Sequence, residues 1–515
     1  MRGAFECLFF VIVFKLLVKT KKKRLRFIFV CIEKFAVLYF LIHLGNFSKN
    51  FDMMKKFFFV FILISLGLVS CNDKDNNPVV VKSIDCEESE ISLYPYENKE
   101  VTITISPENA EDKDYGWEII DPNIASVEGN VFTGKMPGET WAIVFNTLRP
   151  EIRDSLKITI MEIPKKSVNF DDENICYEGR VEIGSEAVSY LYPGSSIITE
   201  FTGTSINGKF NAVKDVYYWV EVDDQKPYKL CVRKKTNYIE NSGTNPGTFW
   251  LAQNLKPGNH TLRVTLCSEG IYKNPKFYGF EIDENAELMK PAEKTVKFEF
   301  IGNSITCGYG TEVTNRAAFN DSTSNFCHGF AYLVSKEFNA QLMVVARSGI
   351  GVYRNYGDAE TASEYGCLPD NYEKMWLQNT KNWDFTKYTP DVIFINLGTN
   401  DTWDLDNTSV KESTFNDEKY EANYKSLLDK IFSHYSNNPK VVLLTGCMMG
   451  QQALDRVKPI LNTIQSEYNA KGHTIYRFDF SQQIGLGADW HPCAAQQKTM
   501  SEELIPFLKE NHIVD

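Results

Sequence analysis

The sequence predicts a multidomain chain in which two all-β sandwich domains precede an α/β doubly wound domain built on a parallel sheet. Three observations lead there. A length of 515 residues exceeds one ordinary domain, and 43% hydrophobic with 24% charged residues is globular composition. Across 79–281, short runs rich in β-branched and aromatic residues are punctuated by Gly, Asn and Pro turns, without a helical period. From residue 295 onward, strand-like runs alternate with amphipathic helical ones, the rhythm of a parallel sheet with crossover helices.

The first 78 residues form no part of these cores. Residues 1–53 hold two apolar stretches around the basic cluster Lys21, Lys22, Lys23, Arg24 and Arg26. They are read as an over-extended start, with an N-terminal membrane segment as the alternative. In 54–71, Lys55 and Lys56 precede an apolar run too short to span a bilayer comfortably, which ends in Val69-Ser70-Cys71. This resembles a bacterial lipoprotein signal. The resemblance implies a lipid on Cys71, a membrane partner through that anchor, and an exported lipoprotein of a Gram-negative bacterium, at the outer membrane, the cell surface or in the periplasm. The polar stretch 72–78 then serves as a tether.

Without residues 1–70 the chain keeps 64 acids against 43 bases. Such a surface excludes nucleic acid as a partner, because phosphates demand a basic footprint. The nine cysteines after Cys71 are scattered, without CxxC or Cys/His clusters, so neither a disulfide framework nor a metal site is expected. Cys307, Cys327, Cys367 and Cys493 lie in loops of the last domain that could converge, and spacing alone does not pair them. No cofactor is called for.

Within 79–162, strands are expected at 100–106 and 154–161, with Trp117 in the sandwich core. Pro107, Trp117, Asp121-Pro122-Asn123 and Pro137-Gly138 give this stretch a resemblance to the group two bacterial immunoglobulin-like domain. That resemblance implies a spacer, with carbohydrate binding as the alternative. Residues 163–290 carry longer, more aromatic strands at 195–202, 216–222, 228–233 and 260–266, as in a jelly-roll-like sandwich. Tyr217 and Trp219 there are either part of a sugar platform or core.

The α/β domain occupies 295–515. Its strands are expected at 295–301, 341–346, 392–397, 440–445 and 473–480, and its helices at 329–338, 417–435, 452–469 and 494–511. Ligands of such sheets bind where the strands end. Each end here carries something useful: Ser304 after the first strand, Ser348-Gly349-Ile350-Gly351 after the second, Asn400 after the third, and Asp489-Trp490-His491 before the last helix. Acyl transfer needs a nucleophile, a base, a group orienting that base, and donors for the developing oxyanion. Taken singly, each residue has a plainer reading: Ser304 as a helix cap, Gly351 as a bend, Asn400 as a cap, His491 as a surface histidine.

Together these blocks resemble the SGNH, or GDSL, hydrolase superfamily over 297–508. The resemblance implies Ser304 as nucleophile and His491 as base, with Asp489 orienting the imidazole unless a backbone carbonyl does so. The oxyanion donors would be the amides of Ser304 and Gly351 and the side chain of Asn400. One position departs from the pattern, since Asn303 stands where an aspartate is usual. Ile305-Thr306-Cys307-Gly308-Tyr309-Gly310, the segment from Ser348 to Asn355, and the jelly roll in front narrow the resemblance to carbohydrate esterase family two. That family implies removal of O-acetyl groups from plant cell-wall polysaccharides such as xylan or glucomannan. Trp490, Tyr309, Tyr353 and Trp403 are candidates for the sugar-binding wall, against loop packing. The alternatives are a lipase or aryl esterase of the same superfamily, and an inactive surface glycan-binding lipoprotein.

Overall fold

The computed structural model describes residues 78–233, 247–359, 363–377 and 379–514. The expectations for 1–53, for the 54–71 signal with Cys71, and for 72–77 of the tether lie outside the described residues. The elements below belong to one compact unit, 81–108 with 112–515.

The first β region contains a four-stranded sheet ordered Glu90–Leu93, Arg153–Ile160, Gly138–Asn146, Tyr115–Ile119, and a three-stranded sheet, Asn98–Glu100, Val131–Gly134, Ala125–Glu128. Ile91, Leu93, Phe132, Ala142, Leu156 and Ile158 close its core, and Trp117 meets Phe132 edge-on at 4.8 Å. The single strand expected at 100–106 is in fact two, Asn98–Glu100 and Ile103–Ser106. The chain changes sheet at buried Val101, whose amide donates to Asn130 O (3.0 Å). Such corners leave the apolar alternation intact, so the pattern alone does not reveal them.

The second β region pairs two larger sheets. Strand Val216–Val222 buries Val216, Tyr218, Val220 and Val222 between them, as its period of two requires. Its other face is turned to the α/β domain. The Trp219 ring meets His328 at 5.1 Å, Glu221 accepts from Tyr332 Oη and from Lys336 Nζ (3.0 Å), and Lys229 Nζ lies over Tyr217. Trp219 therefore packs, half-buried, against the α/β domain, and Tyr217 is half-buried with Lys229 over its ring.

The α/β domain has five parallel strands: β1 (Lys297–Gly302), β2 (Gln341–Ala346), β3 (Val392–Asn396), β4 (Lys440–Thr445) and β5 (Ile475–Asp479). Their order is 2-1-3-4-5, one of the common doubly wound arrangements. The principal helices are α1 (Phe330–Glu337), α2 (Asp417–His434), α3 (Gln451–Ala470) and α4 (Ala494–Glu510), each within two residues of expectation. Phe298, Phe300 and Phe394 point to the face covered by α1 and α4, whereas Ile301, Ile393 and Ile395 point to the face covered by α2 and α3. Burial on both faces explains why the third strand reads as a continuous apolar run.

A buried carboxylate interrupts the apolar middle of this sheet. Glu299 on β1 is fully buried, and its carboxylate receives Tyr372 Oη and Tyr435 Oη, each at 3.1 Å. Its cation comes from the β domain in front: Arg180, equally buried, places Nη2 at 3.5 Å and donates through Nη1 to the carbonyls of Tyr372 (2.5 Å) and Lys374 (2.7 Å). The rings of Tyr372, Trp383 and Phe385 surround the guanidinium at 5.1 to 5.5 Å. Burial raises the Glu299 carboxyl above its ordinary range, and Arg180 opposes that rise. Truncating Arg180 leaves a buried carboxylate without its cation, which typically costs ~3 to 5 kcal/mol. Arg180→Met should therefore unfold at clearly lower urea, while Arg180→Met with Glu299→Leu recovers part of the loss. Equal urea midpoints for wild type and Arg180→Met would show that the pair does not hold the domains.

Candidate active site

β1 ends at Gly302, and Asn303 takes the capping position of the one-turn helix Ser304–Cys307. Asn303 Oδ1 accepts from Ile305 N at 3.0 Å, so the asparagine keeps the turn that an aspartate would make. This also removes the plain reading of Ser304 as a cap: its hydroxyl is left for another partner. That partner is His491, whose Nε2 lies 2.8 Å from Ser304 Oγ although the two residues are 187 positions apart.

The other imidazole nitrogen decides the tautomer. His491 Nδ1 lies 3.1 Å from Ala488 O and 3.2 Å from Asp489 O, and carbonyl oxygens only accept. Nδ1 therefore carries the proton, and the lone pair of Nε2 faces the serine. Asp489 and Trp490 adopt left-handed backbone, with φ of 45° and 67°, which turns the chain so that these carbonyls converge on the ring. The loop is seated by Ala488 N, which donates to Gly310 O at 3.1 Å. Gly310 has φ of 58°, and a Cβ there would stand 2.2 Å from that of Ala488, so only glycine allows this approach.

Asp489 does not orient the imidazole through its carboxylate. Oδ2 instead accepts from Tyr309 Oη (2.7 Å) and Phe319 N (3.3 Å), which corrects the expected triad role and leaves the orienting task to main chain. Tyr309 itself packs its ring 4.1 Å from that of His491, with Phe319 4.1 Å from it. It supports the imidazole. Burial pushes the His491 pKa below its ordinary value, and the two carbonyls recover part of that shift.

The donor side follows β2 and β3. Asn400 is buried after β3, and its Nδ2 donates to Ile350 O at 2.8 Å, so the side chain reaches the loop that carries Gly351. One of its two amide hydrogens is used there and the second remains. The Gly351 amide donates to Asn355 Oδ1 at 3.2 Å, so the expected oxyanion role requires that long bond to be exchanged. Its need for glycine has another source: a Cβ would stand 1.9 Å from Arg354 O.

Sequence reading missed the groups that tie these two loops. Asp401 accepts from the amides of Val352 (2.9 Å), Tyr353 (2.9 Å) and Arg354 (3.3 Å), and Arg354 Nε donates to Asp401 O at 2.6 Å. Arg354 also pairs with Asp404 at 2.6 Å, both buried. Burial pushes the Asp401 carboxyl up to about 6; the cost of burial acts on Asp404 too, but bonds from Arg354 and Thr414 hold it down to about 2. Asp401 directly follows Asn400 and Arg354 follows Gly351 by three positions, which was the available signal. Nothing in the spacing says that they are buried.

The expected wall residues separate. Trp490 is exposed beside the base, with the Arg316 guanidinium 3.9 Å over its ring. Trp403 is half-buried, donates through Nε1 to Asp358 O (3.0 Å), and meets the ring of Tyr356, which is 69% exposed and was not foreseen. Tyr353 is buried against Phe415 and its hydroxyl accepts from Asn416 N (2.9 Å), so it is packing and not wall. The nine described cysteines are all free, including Cys307, Cys327, Cys367 and Cys493.

Known proteins resemble this chain over its second β region and its α/β domain. Residues 177–291 match the carbohydrate esterase 2 N-terminal model, and residues 300–507 match the GDSL-like lipase/acylhydrolase family model. A cellulase/esterase, CelE, of Acetivibrio thermocellus is 28% identical over 345 residues, 66% of this chain and 40% of that protein. An acetylxylan esterase / glucomannan deacetylase of Cellvibrio japonicus is 28% identical over 348 residues, 64% of this chain and 89% of that one. Among solved structures, a family two carbohydrate esterase from Clostridium thermocellum in complex with cellohexaose aligns with a TM-score of 0.57 at 27% identity, covering 66% of this chain and 99% of that chain. A family two esterase from Cellvibrio japonicus shares the fold at a TM-score of 0.60 and 19% identity, over 68% of this chain and 98% of that chain. The chain thus matches, in order, the carbohydrate esterase 2 N-terminal model over its second β region and the GDSL-like lipase/acylhydrolase model over its α/β domain.

Proposed function

We propose that the protein is a serine esterase that removes O-acetyl groups from plant cell-wall polysaccharides of the xylan or glucomannan type, or from their oligosaccharides. The observation that carries this reading is the 2.8 Å contact of Ser304 Oγ with an imidazole whose other nitrogen is held by carbonyl oxygens. The names of the relatives support the substrate class, two of them being acetylxylan esterase / glucomannan deacetylases of Cellvibrio japonicus.

In this mechanism Ser304 Oγ attacks the acetyl carbonyl as its proton passes to His491 Nε2. The imidazolium that forms keeps its Nδ1 proton on Ala488 O and Asp489 O. The oxyanion is met by the Ser304 amide, which as a first-turn N–H has no helical carbonyl to bond, and by the free hydrogen of Asn400 Nδ2. The Gly351 amide joins by exchanging its bond to Asn355. The sugar oxygen leaves with the proton from His491, and water, activated by the same nitrogen, then releases acetate from the acyl-serine. Trp490 and Tyr356, exposed aromatics on the base side and the donor side, offer faces to a sugar ring.

Acetate release from acetylated xylan and glucomannan should be abolished in Ser304→Ala; equal release by wild type and variant would end the serine mechanism. Asn400→Ala should remain folded and lose roughly 100-fold or more in kcat, the usual cost of one oxyanion donor. Asp489→Asn should keep kcat within about tenfold, whereas a true triad aspartate costs about 10^4 on such a change. Only neutral His491 accepts the proton, and burial favours that form. The acid limb of kcat/KM should therefore have its midpoint below the ordinary 6.5, with a plateau above it. A limb centred above 6.5 would contradict this environment.

A further inference from the structure

The donor loop Ser348–Gly351 is held from outside its own domain. After the β-domain strand Gly258–Leu266, the chain passes Cys267 and Ser268 to Glu269, whose carboxylate lies against the loop. Glu269 Oε1 accepts from Ser348 N at 2.9 Å and Oε2 accepts from Ser348 Oγ at 2.5 Å. This two-point grip fixes both the backbone and the side chain of the residue that opens the turn. Two residues on, Ile350 O receives the Asn400 side chain, and Gly351 follows. Gly349 at this turn takes φ of 81°, a backbone that glycine adopts freely, and its carbonyl accepts from Tyr356 N at 2.9 Å.

The same β-domain segment also anchors the base side. Cys267 O accepts from Phe326 N (2.8 Å) and Lys273 Nζ pairs with Asp321 (2.6 Å), while Lys229 Nζ donates to the carbonyls of Ser322 and Ser324 (2.8 Å each). Ser324 Oγ accepts from Gly310 N (3.0 Å), and Gly310 O receives Ala488 N, the residue whose carbonyl faces His491. Glu269 is half-buried; its partial burial raises the carboxyl, while both bonds from Ser348 favour its charged form.

We propose that Glu269 of the β domain is a positioning residue for the oxyanion side of the active site, setting the Ser348–Gly351 turn against Asn400. The β domain is then a working part of the catalytic centre and not only a module in front of it. The inference rests on the serine esterase reading above. A displacement of donors by about 1 Å is enough to cost on the order of 100-fold in rate.

The test uses the whole protein and p-nitrophenyl acetate, a substrate without a sugar. Glu269→Ala should lower kcat about 10- to 100-fold with KM within about twofold, and weaken inhibition by a boronic acid, a tetrahedral mimic, by a similar factor. Glu269→Gln, which can accept from Ser348 N and donate to Ser348 Oγ, should restore most of kcat and of boronic acid affinity. Glu269→Asp keeps the charge but is one methylene short of the loop, and should lose about 5- to 20-fold in kcat. If Glu269→Ala fails to fold, Glu269→Asp decides. Wild-type kcat in Glu269→Ala, or in Glu269→Asp where the alanine variant does not fold, overturns the proposal, as does loss of kcat with unchanged boronic acid affinity. Ser304→Ala, assayed beside them, reports separately on the nucleophile, so failure of the serine reading is distinguished from failure of the Glu269 role.

Discussion

Taking a guanidinium and a carboxylate out of water costs several kcal/mol per ion, and their attraction repays this only when the remaining donors and acceptors are satisfied. Arg180, from the β domain, and Glu299 approach that condition with groups of the α/β domain: two carbonyls for the cation, two tyrosine hydroxyls for the anion, and three aromatic rings around the guanidinium, with Arg180 Nε left as the one unpartnered donor of the pair. Glu299 stands on β1, five residues before Ser304. The strand that delivers Ser304 is thus the strand the β domain grips, and a domain shift that leaves either charge unpaired is penalised at once. Other contacts across the interface, such as Lys229 with Glu312, lie nearer to solvent and add less.

The active site built on that frame relies on main chain where a side chain is commonly expected. Two carbonyls in a left-handed turn fix the imidazole tautomer, which asks nothing of Asp489 beyond the position of its backbone. The carboxylate is consequently available to Tyr309, and the Tyr309 ring supports the imidazole that the carboxylate does not touch. Neutral imidazole is favoured by burial, which suits a base. On the donor side, three amides bonded to Asp401 do for the second loop what the carbonyls do for histidine.

Much of this was readable in order along the chain. Strand and helix positions of the α/β domain follow from periodicity, because burying both faces of a parallel sheet leaves apolar runs that only turns interrupt. Ser304, Asn400 and His491 were found because strand ends of such a sheet share one edge. Tyr353 was a candidate sugar contact, and Tyr217 and Trp219 were left between platform and core, because aromatic residues in loops and strands look alike whether or not another segment covers them. The break at Val101 went unseen because the apolar alternation continues through a change of sheet.

From sequence alone came the strand and helix order of the α/β domain, which depends on local period, and the pairing of Ser304 with His491, which came from the resemblance to the SGNH hydrolases. Only the tertiary structure decided which atom orients His491, where Asp489 points, and that Arg180 and Glu269 reach from one domain into another. The physical reason is that a hydrogen bond depends on direction and distance within a few tenths of an ångström. Spacing along a chain does not carry that information for residues separated by tens or hundreds of positions.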